Sequence, residues 1–314
     1  MFRFDGLKAY KFLRPWSIVV KISFITFTKN SEDRIGRLLN HVKDIVDEII
    51  VVDGCSTDRT VEIAKTFGAK VYTRRSWGYP DPDRMFAVKK TSYEWVLHLD
   101  DDERLCSKLK MNFRKIIEYA AKQNFSAISI TRITLTSHGK PILGPMYPDV
   151  QIRIFKKDSV DFKGLVHEPV RIRGKVLHLP EEYYILHFPK FTKGKTVLYA
   201  KLEALEYYDR YESSSMSLVN KALLKLAPIT CIPLALYYLV LHMRRRKPLN
   251  YLGVVEAFDL AKYQSMVNLL MASRNRKQKL MAKIIQERGL TPLIDKNFSR
   301  ENLLTKATKQ EYEV

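Results

Sequence analysis

Residues 48–58 read EIIVVDGCSTD. The first part is a continuous apolar run bounded by turn residues, the pattern of a parallel strand buried on both faces. The run breaks at Gly54, where Ser56 or Thr57 is placed to cap a helix reaching about Phe67, with Gly68 as its C-terminal stop. Upstream, KISFITF (21–27) is a short β-rich run that ends in the polar turn TKNSEDR (28–34). A helix follows, with Ile35, Leu38, Leu39, Val42, Ile45 and Val46 at a 3.6-residue period. Downstream, AKVYTR (69–74) reads as a third strand, and the polar loop SWGYPDPD (76–83) leads to a short helix. EWVLHL (94–99) is a fourth strand that runs straight into the acidic quartet DDDE (100–103).

Strands alternating with helices in this way predict an α/β fold, a mostly parallel sheet flanked by helices. Ligands of such sheets bind at the carboxyl ends of the strands. The polar clusters TKN (28–30), DGCSTD (53–58) and DDDE all fall there. After a helix over about 107–123, the pattern turns to short strands with hairpin-like spacing: SAISITRIT (126–134), VQIRIFK (150–156), PVRIR (169–173) and YYILHF (183–188). This section is expected to build the acceptor side of a cleft. Beyond Lys190 the chain reads as helical, which divides it into a basic arm (1–20), a catalytic domain (21–190) and a helical, basic C-terminal region (191–314).

With 314 residues, 46% hydrophobic and 28% charged, the chain has the balance of a folded protein. Its net charge of +20 calls for an anionic partner: nucleic acid, a membrane surface or a phosphate-rich substrate. Cys55, Cys106 and Cys231 lie far apart without a CxxC pair, which argues against a disulfide framework or a thiolate zinc site and fits a reducing compartment. The first twenty residues mix basic side chains with Phe2, Phe4 and Phe12 but hold no uninterrupted apolar run before a cleavage site. Two readings stand for them, an arm packed on the domain and an interfacial anchor.

Asp100, Asp101, Asp102 and Glu103 are adjacent carboxylates whose repulsion costs stability unless cations compensate. Hard divalent ions such as Mg²⁺ or Mn²⁺ take oxygen ligands and bridge carboxylates to substrate phosphates. The bland alternative is an acidic turn at the head of the next helix. The quartet sits at a strand's end, level with Asp53, and that position favours the metal. Asp53 itself is placed to accept hydrogen bonds from a base or ribose. Asp58 reads as a helix cap before it reads as part of a ligand loop.

The strings ITFTKNSEDRIGRLL (25–39), DEIIVVDGCSTDRTVEIAKTFGAKV (47–71) and DRMFAVKKTSYEWVLHLDDDERL (83–105) resemble family 2 glycosyltransferases of the GT-A fold, most of all the group that builds lipopolysaccharide cores. Members of that group show a T-x-N-E turn, a VD-x-x-S-x-D-x-T loop, an RNxA helix and an LDADE metal motif. The chain departs from this pattern where Ser31 stands between Asn30 and Glu32, and where Met85 follows Arg84. Asp101 fills the small-residue slot of the metal motif and leaves Asp100 and Asp102 intact. The resemblance covers roughly residues 21–190.

That resemblance implies a nucleotide-sugar donor, a glycan or lipid-linked acceptor, a divalent cation and inversion at the sugar. Thr28, Asn30 and Glu32 would line the nucleotide pocket, Asp53 would hold base or ribose, and Arg84 would face the donor. Asp100 would contact ribose or metal, and Asp102 would ligate the metal. An inverting transfer also needs a base for the acceptor hydroxyl. GLVHEPV (164–170) resembles the VHE motif of the same group and makes Glu168 the candidate, with His167 as a ligand, an orienting group or a structural histidine. Asp149 and Asp161 are rival bases. Arg153 reads either as a phosphate contact or as an ordinary strand-surface arginine.

Residues 226–241 (LAPITCIPLALYYLVL) run for 16 positions without a charge, with Pro228 and Pro233 inside and His242-Met243-Arg244-Arg245-Arg246-Lys247 after them. A spanning helix wants about 20 apolar residues, so a buried helix pair, an in-plane or re-entrant segment and a span all stay open. Tyr237 and Tyr238 beside the basic cluster suit an anionic membrane interface. The segment from Tyr251 to Lys279 reads as an amphipathic helix ending in positive charge. Together these place the protein in the cytoplasm, on or in the cytoplasmic face of a membrane. A sugar nucleotidyltransferase would open on a glycine-rich loop, and TKNSEDR has no glycine. A nucleic-acid-binding protein would explain the charge, yet no RNP, zinc-finger or helix-turn-helix signature is present, and no nucleic-acid partner is expected.

Overall fold

The computed structural model describes residues 19–75, 81–162, 170–189, 231–245 and 247–272. Four strands open the chain: β1 (Ile22–Thr28), β2 (Glu48–Asp53), β3 (Lys70–Thr73) and β4 (Trp95–His98). They are joined by helices α1 (Ile35–Val42), α2 (Thr60–Thr66) and α3 (Asp81–Lys90). The chain continues through β5 (Glu103–Leu105), α4 (Ser107–Lys122), β6 (Phe125–Thr134) and β7 (Asp149–Lys156). A small pair, β8 (Val160–Asp161) and β9 (Arg171–Ile172), precedes β10 (Lys175–His178) and β11 (Tyr184–His187). The described C-terminal helices are α5 (Cys231–Arg244) and α6 (Tyr251–Ala272).

The main sheet has nine strands in the order β3-β2-β1-β4-β7-β6-β11-β5, with β10 also on β6. β5 and β7 run against the other strands. The expected α/β architecture, a mostly parallel sheet flanked by helices, is therefore what the chain forms, and the described part of its C-terminal region is helical. The reason lies in the strand sequences. Ile22 and Phe24 on β1, and Trp95 and Leu97 on β4, join one apolar cluster with α1 and α4. Ile25, Val96 and Phe155 join another with Ala87 and Val88 of α3. Both sheet faces are thus covered, and each fully buried aliphatic or aromatic side chain contributes about 1.5–3 kcal/mol.

The hairpin-like spacing expected after residue 125 holds only for β6 and β7, which are antiparallel. β10 and β11 instead both lie parallel to β6, β10 beside its first half and β11 beside its second. A ten-residue strand has room for two short partners end to end, and spacing along the chain carries no signal for that arrangement. At the head of α2 the expectation of a Ser56 or Thr57 cap fails, while the reading of Asp58 as part of the cap holds. Ser56 turns back to Asp53, while Asp58 accepts from the Thr60 N–H at 3.0 Å and closes the turn before the helix. Gly68, with φ +72°, ends that helix region as expected. Cys55 and Cys106 are free thiols, and the Cys106 sulfur accepts from the Leu109 N–H at the head of α4.

α6 falls where a helix was expected, but it is not amphipathic. Small residues Gly253, Ala257 and Ala261 face inward, while Tyr251 and Val255 face solvent. Gly253 lies so close to the loop before β7 that an added Cβ would stand 1.9 Å from the Leu143 carbonyl oxygen. Asn250 holds the junction, donating to the Pro141 carbonyl at 2.8 Å and accepting from the N–H groups of Leu143 and Gly253. Among the described residues, no helix is long and apolar enough to cross a membrane.

Candidate active site

β1, β2 and β4 are neighbours and parallel, so their carboxyl ends come together. This brings Thr28, Asp53 and the acidic quartet to one edge of the sheet. The two loops following β1 and β2 are stitched to each other. Asn30 donates its backbone N–H to the Ser56 hydroxyl at 2.8 Å and accepts the Thr57 N–H on its side-chain oxygen at 2.9 Å. Glu32 accepts the Arg59 N–H at 3.1 Å and donates its own N–H to Asp58 at 3.2 Å. Asn30 and Cys55 both have positive φ, 49° and 58°. Such conformations persist where surrounding bonds fix them, often beside a site. Asp53 is fully buried, and its two oxygens accept from the Ser56 N–H and hydroxyl. Thr28 is buried at the end of β1.

The acidic quartet is threaded through basic side chains from three elements. Arg153 on β7, only 4% exposed, donates to Asp100 Oδ2 and Glu103 Oε1, both at 2.6 Å. It is therefore not a strand-surface arginine, and its guanidinium is engaged with carboxylates rather than open to a phosphate. Arg132 on β6 meets Glu103 at 2.9 Å and Asp149 at 2.6 Å. Arg34, before α1, pairs with Asp101 at 3.0 Å, and the Ser31 hydroxyl also donates to Asp101. Two departures from the family pattern, Ser31 and Asp101, thus contact each other. Burial raises the Asp101 carboxyl pKa, with Ser31 and Arg34 acting in the opposite sense.

Burial likewise works to raise Asp100, but Arg153 and His98 outweigh it and hold that carboxyl well below the usual range. His98 is pushed down to about 4 by burial and by Arg153. It is neutral at physiological pH and accepts from Arg153 on Nδ1 at 3.3 Å. Arg84 on α3 stacks over the Phe162 ring at 5.4 Å, and its charge acts on both Asp100 and His98. The helix thus delivers Arg84 to the same edge as the quartet.

Asp102 has a different neighbour. The Phe188 N–H donates to the Asp102 carbonyl at 2.8 Å, and β11 pairs with β5 so that His187 lies opposite Glu103. This register brings His187 Nε2 to 3.7 Å from the Asp102 carboxylate. The other ring nitrogen, Nδ1, lies 3.1 Å from the Thr134 hydroxyl. A proton on Nδ1 donated to Thr134 leaves the Nε2 lone pair facing Asp102. That is how a ligating imidazole is oriented by its outer partner. The sequence reading missed His187 and Thr134. A single histidine near a strand end carries no signal of its own, and only the β11–β5 register places it.

A carboxylate and an imidazole fit a divalent ion that takes its remaining ligands elsewhere. Among the described residues no group of three His, Cys, Asp or Glu side chains could hold a metal, so substrate oxygens and water would supply the rest. Of the rival bases, Asp149 is engaged by Arg132 and by Gln151 Nε2 at 2.5 Å. Asp161 lies on the separate β8–β9 pair. Glu168 and His167 lie outside the described residues.

The family model for glycosyl transferase family 2 matches residues 23–142, the span that holds all three strand-end clusters. An uncharacterized glycosyltransferase of Rickettsia typhi is 44% identical over 110 residues, covering 35% of this chain and 37% of its own. One from Rickettsia conorii is 27% identical over 280 residues, covering 87% of this chain and 98% of its own. Among solved structures, residues 1–349 of S. aureus TarS in complex with UDP align at a TM-score of 0.42 with 15% identity, covering 94% of this chain and 93% of that one.

Proposed function

The chain belongs to glycosyl transferase family 2, and from that premise we propose that it transfers a sugar from a nucleotide-sugar donor to a glycan or lipid-linked acceptor, with a divalent cation and inversion at the sugar. The observation that carries this reading is the state of the acidic quartet. Arg153, Arg132 and Arg34 neutralise Asp100, Glu103 and Asp101, while Asp102 faces a histidine.

Asp102 and His187 would hold Mg²⁺ or Mn²⁺, which when bound offsets the charge of a diphosphate leaving group. Arg153 holds one Asp100 oxygen and His98 Nε2 lies 3.4 Å from the other, so Asp100 would meet ribose or the ion through the lone pairs these two leave. Arg84 supplies a cation on the donor side of the same edge. Thr28, Asn30, Glu32 and Asp53 stand around the expected nucleotide position, and the stitched loops fix them there before the donor arrives. A pre-formed pocket loses less entropy on binding. Glu168 is the proposed base, because Asp149, its rival on β7, already serves Arg132 and Gln151. The acceptor is proposed to be met at an anionic membrane surface on the cytoplasmic side.

The test is nucleoside-diphosphate release from a panel of nucleotide sugars, with Mn²⁺ or Mg²⁺ and with EDTA, beside Asp102→Ala. Release from one donor that needs the metal and disappears in the variant supports the reading. Metal-independent release, or full activity in Asp102→Ala, would overturn the metal assignment. Glu168→Gln should cut acceptor-dependent turnover by orders of magnitude while donor binding stays near normal.

A further inference from the structure

Thirteen large hydrophobic side chains are exposed among the described residues, and eight of them fall between Ile232 and Val255. That concentration is a property of α5, α6 and the turn between them. On α5, Ile232, Leu236, Val240 and Met243 are 64%, 54%, 48% and 66% exposed. Their spacing of four, four and three residues puts them on one stripe of the helix. Tyr251 and Val255, also exposed, continue the apolar surface onto α6. The opposite face of the pair is already satisfied by Ala235, His242, Ala257 and Ala261, all buried. The outward stripe thus does nothing for the packing of this helix pair.

Basic charge dominates at the α5 end of the stripe, whereas on α6 the exposed Asp259 follows Val255 and pairs with Lys262. α5 has no acidic residue, and Arg244 and Arg245 at its end are exposed. The turn that follows is held by His242, whose Nε2 meets the Pro248 carbonyl at 3.0 Å, and by the Lys247–Glu181 ion pair. A helix with an exposed apolar stripe and a basic end is suited to lying in the plane of an anionic surface. A second copy of the chain is the less favoured occupant, since each copy carries +20 and brings the same arginines to the contact.

We propose that the exposed α5–α6 stripe is the face by which the protein docks in-plane on an anionic lipid bilayer. The inference deepens the membrane part of the proposed function by naming the surface, and it does not depend on the sugar chemistry. The helix pair is also tied to the site. α6 holds the 141–146 loop through Asn250 and through Glu256, which accepts the Met146 N–H at 3.2 Å. That loop leads into Asp149, which Arg132 links to Glu103. A bilayer under the helices therefore has a short chain of contacts to the acidic quartet, and docking sets the orientation of the cleft towards lipid-borne acceptors.

The full-length chain should be sedimented with phosphatidylcholine vesicles, with and without phosphatidylglycerol, at low and high salt. Binding to the anionic vesicles that weakens with salt is expected. Leu236→Asp with Val240→Asp should abolish it, and both positions are exposed, so folding should be untouched. Arg244→Gln with Arg245→Gln should weaken it roughly thirtyfold, and only on the anionic vesicles. Circular dichroism and vesicle-free donor hydrolysis, unchanged in both double variants, report an intact domain. Three results would overturn the proposal: a wild-type chain that stays in the supernatant with both vesicle types, variants that sediment like wild type, or a wild-type dimer that the aspartates split in analytical ultracentrifugation. Vesicle binding without any donor hydrolysis would instead count against the proposed chemistry and leave the docking face standing.

Discussion

Replacing Arg153 with methionine tests the centre of the site, because Arg153 bridges two carboxylates and is itself buried. Breaking a buried ion pair by removing one partner costs about 3–5 kcal/mol, since the remaining charge stays desolvated. Two features lower that range here. Glu103 keeps Arg132 at 2.9 Å, and the Asp100 side chain is 31% exposed and partly solvated. The expected loss is therefore about 3 kcal/mol at neutral pH, read from urea unfolding. The pH dependence fixes the cause. In the wild type, burial opposes the Asp100 charge but Arg153 and His98 depress its pKa. Its stabilisation is thus present above the unfolded value of about 3.9 and is lost as pH falls through the lower folded value. Without Arg153, burial acts unopposed by that cation and the Asp100 carboxyl titrates higher. The variant's deficit should then be largest near pH 7 and shrink towards about pH 5, as protonation removes the uncompensated charge. Arg153→Lys should fall between, because an ammonium does not reproduce the planar fork that bridges both acids. A deficit below about 1 kcal/mol, as for a surface side chain, or one independent of pH, would refute the pairing. A raised donor KM with unchanged stability would return Arg153 to the phosphate role.

Thr134→Val removes the partner of His187 Nδ1 and should raise the Mn²⁺ concentration for half-maximal donor hydrolysis roughly ten- to a hundredfold, with kcat at saturating metal largely kept; an unchanged metal titration would separate His187 from the ion. His41 is pushed down to about 4 by burial and by Lys110 and Arg104. Its stabilisation is complete above its ordinary value of 6.5 and is lost as pH falls from there to about 4, so His41→Gln should flatten that part of the stability–pH curve; equal slopes would show that His41 does not drive it. Gly253→Ala places a methyl against the Leu143 carbonyl and should cost about 1–3 kcal/mol through overpacking. Thermal unfolding and protease cleavage near residues 141–146 would report it, and wild-type values for both would mean that α6 does not press on the loop.

The first half of the fold was legible because its strands carry their own boundaries. EIIVVD is apolar throughout, ends in a carboxylate and a glycine, and has to be covered on both faces. The helix from Ile35 shows its buried stripe in the spacing of Ile35, Leu38, Leu39 and Val42, all of which have no exposed surface. Beyond residue 125 that logic weakens. Strand composition identified β6, β7, β9 and β11, and hairpin spacing the β6–β7 pair, but not that β11 lies between β6 and β5, because that pairing joins segments far apart along the chain that periodicity does not encode. The same limit applied to side chains. Asn30, Glu32 and Asp58 were readable as polar residues at strand ends, but the bonds that tie the two loops to each other were not. Arg153 in QIRIF reads equally as a phosphate contact or a surface arginine, because a strand pattern shows which face a residue lies on and not what that face meets.

The quartet shows where sequence and structure each carry the argument. Four consecutive carboxylates posed a charge problem that the sequence could state but not solve, and a bound cation was one answer. The structure supplies most of the compensation from the chain itself. Arginines before α1 and on β6 and β7 reach Asp101, Glu103 and Asp100. Asp102 is the exception: among the described residues no guanidinium stands within ion-pair distance of its carboxylate. Its neighbour His187 can compensate charge only when protonated, and it can donate a lone pair when neutral. The repulsion argument that began with four acids therefore narrows to one, at the position where the family pattern expects the metal. Asp101, which fills a slot the family keeps small, does not disturb this, because Ser31 and Arg34 draw it away towards α1. A substitution that freed Asp101 would put a second uncompensated carboxylate beside Asp102. Ser31→Ala with Arg34→Met should for that reason alter the metal titration of donor hydrolysis, although neither residue is assigned to the ion.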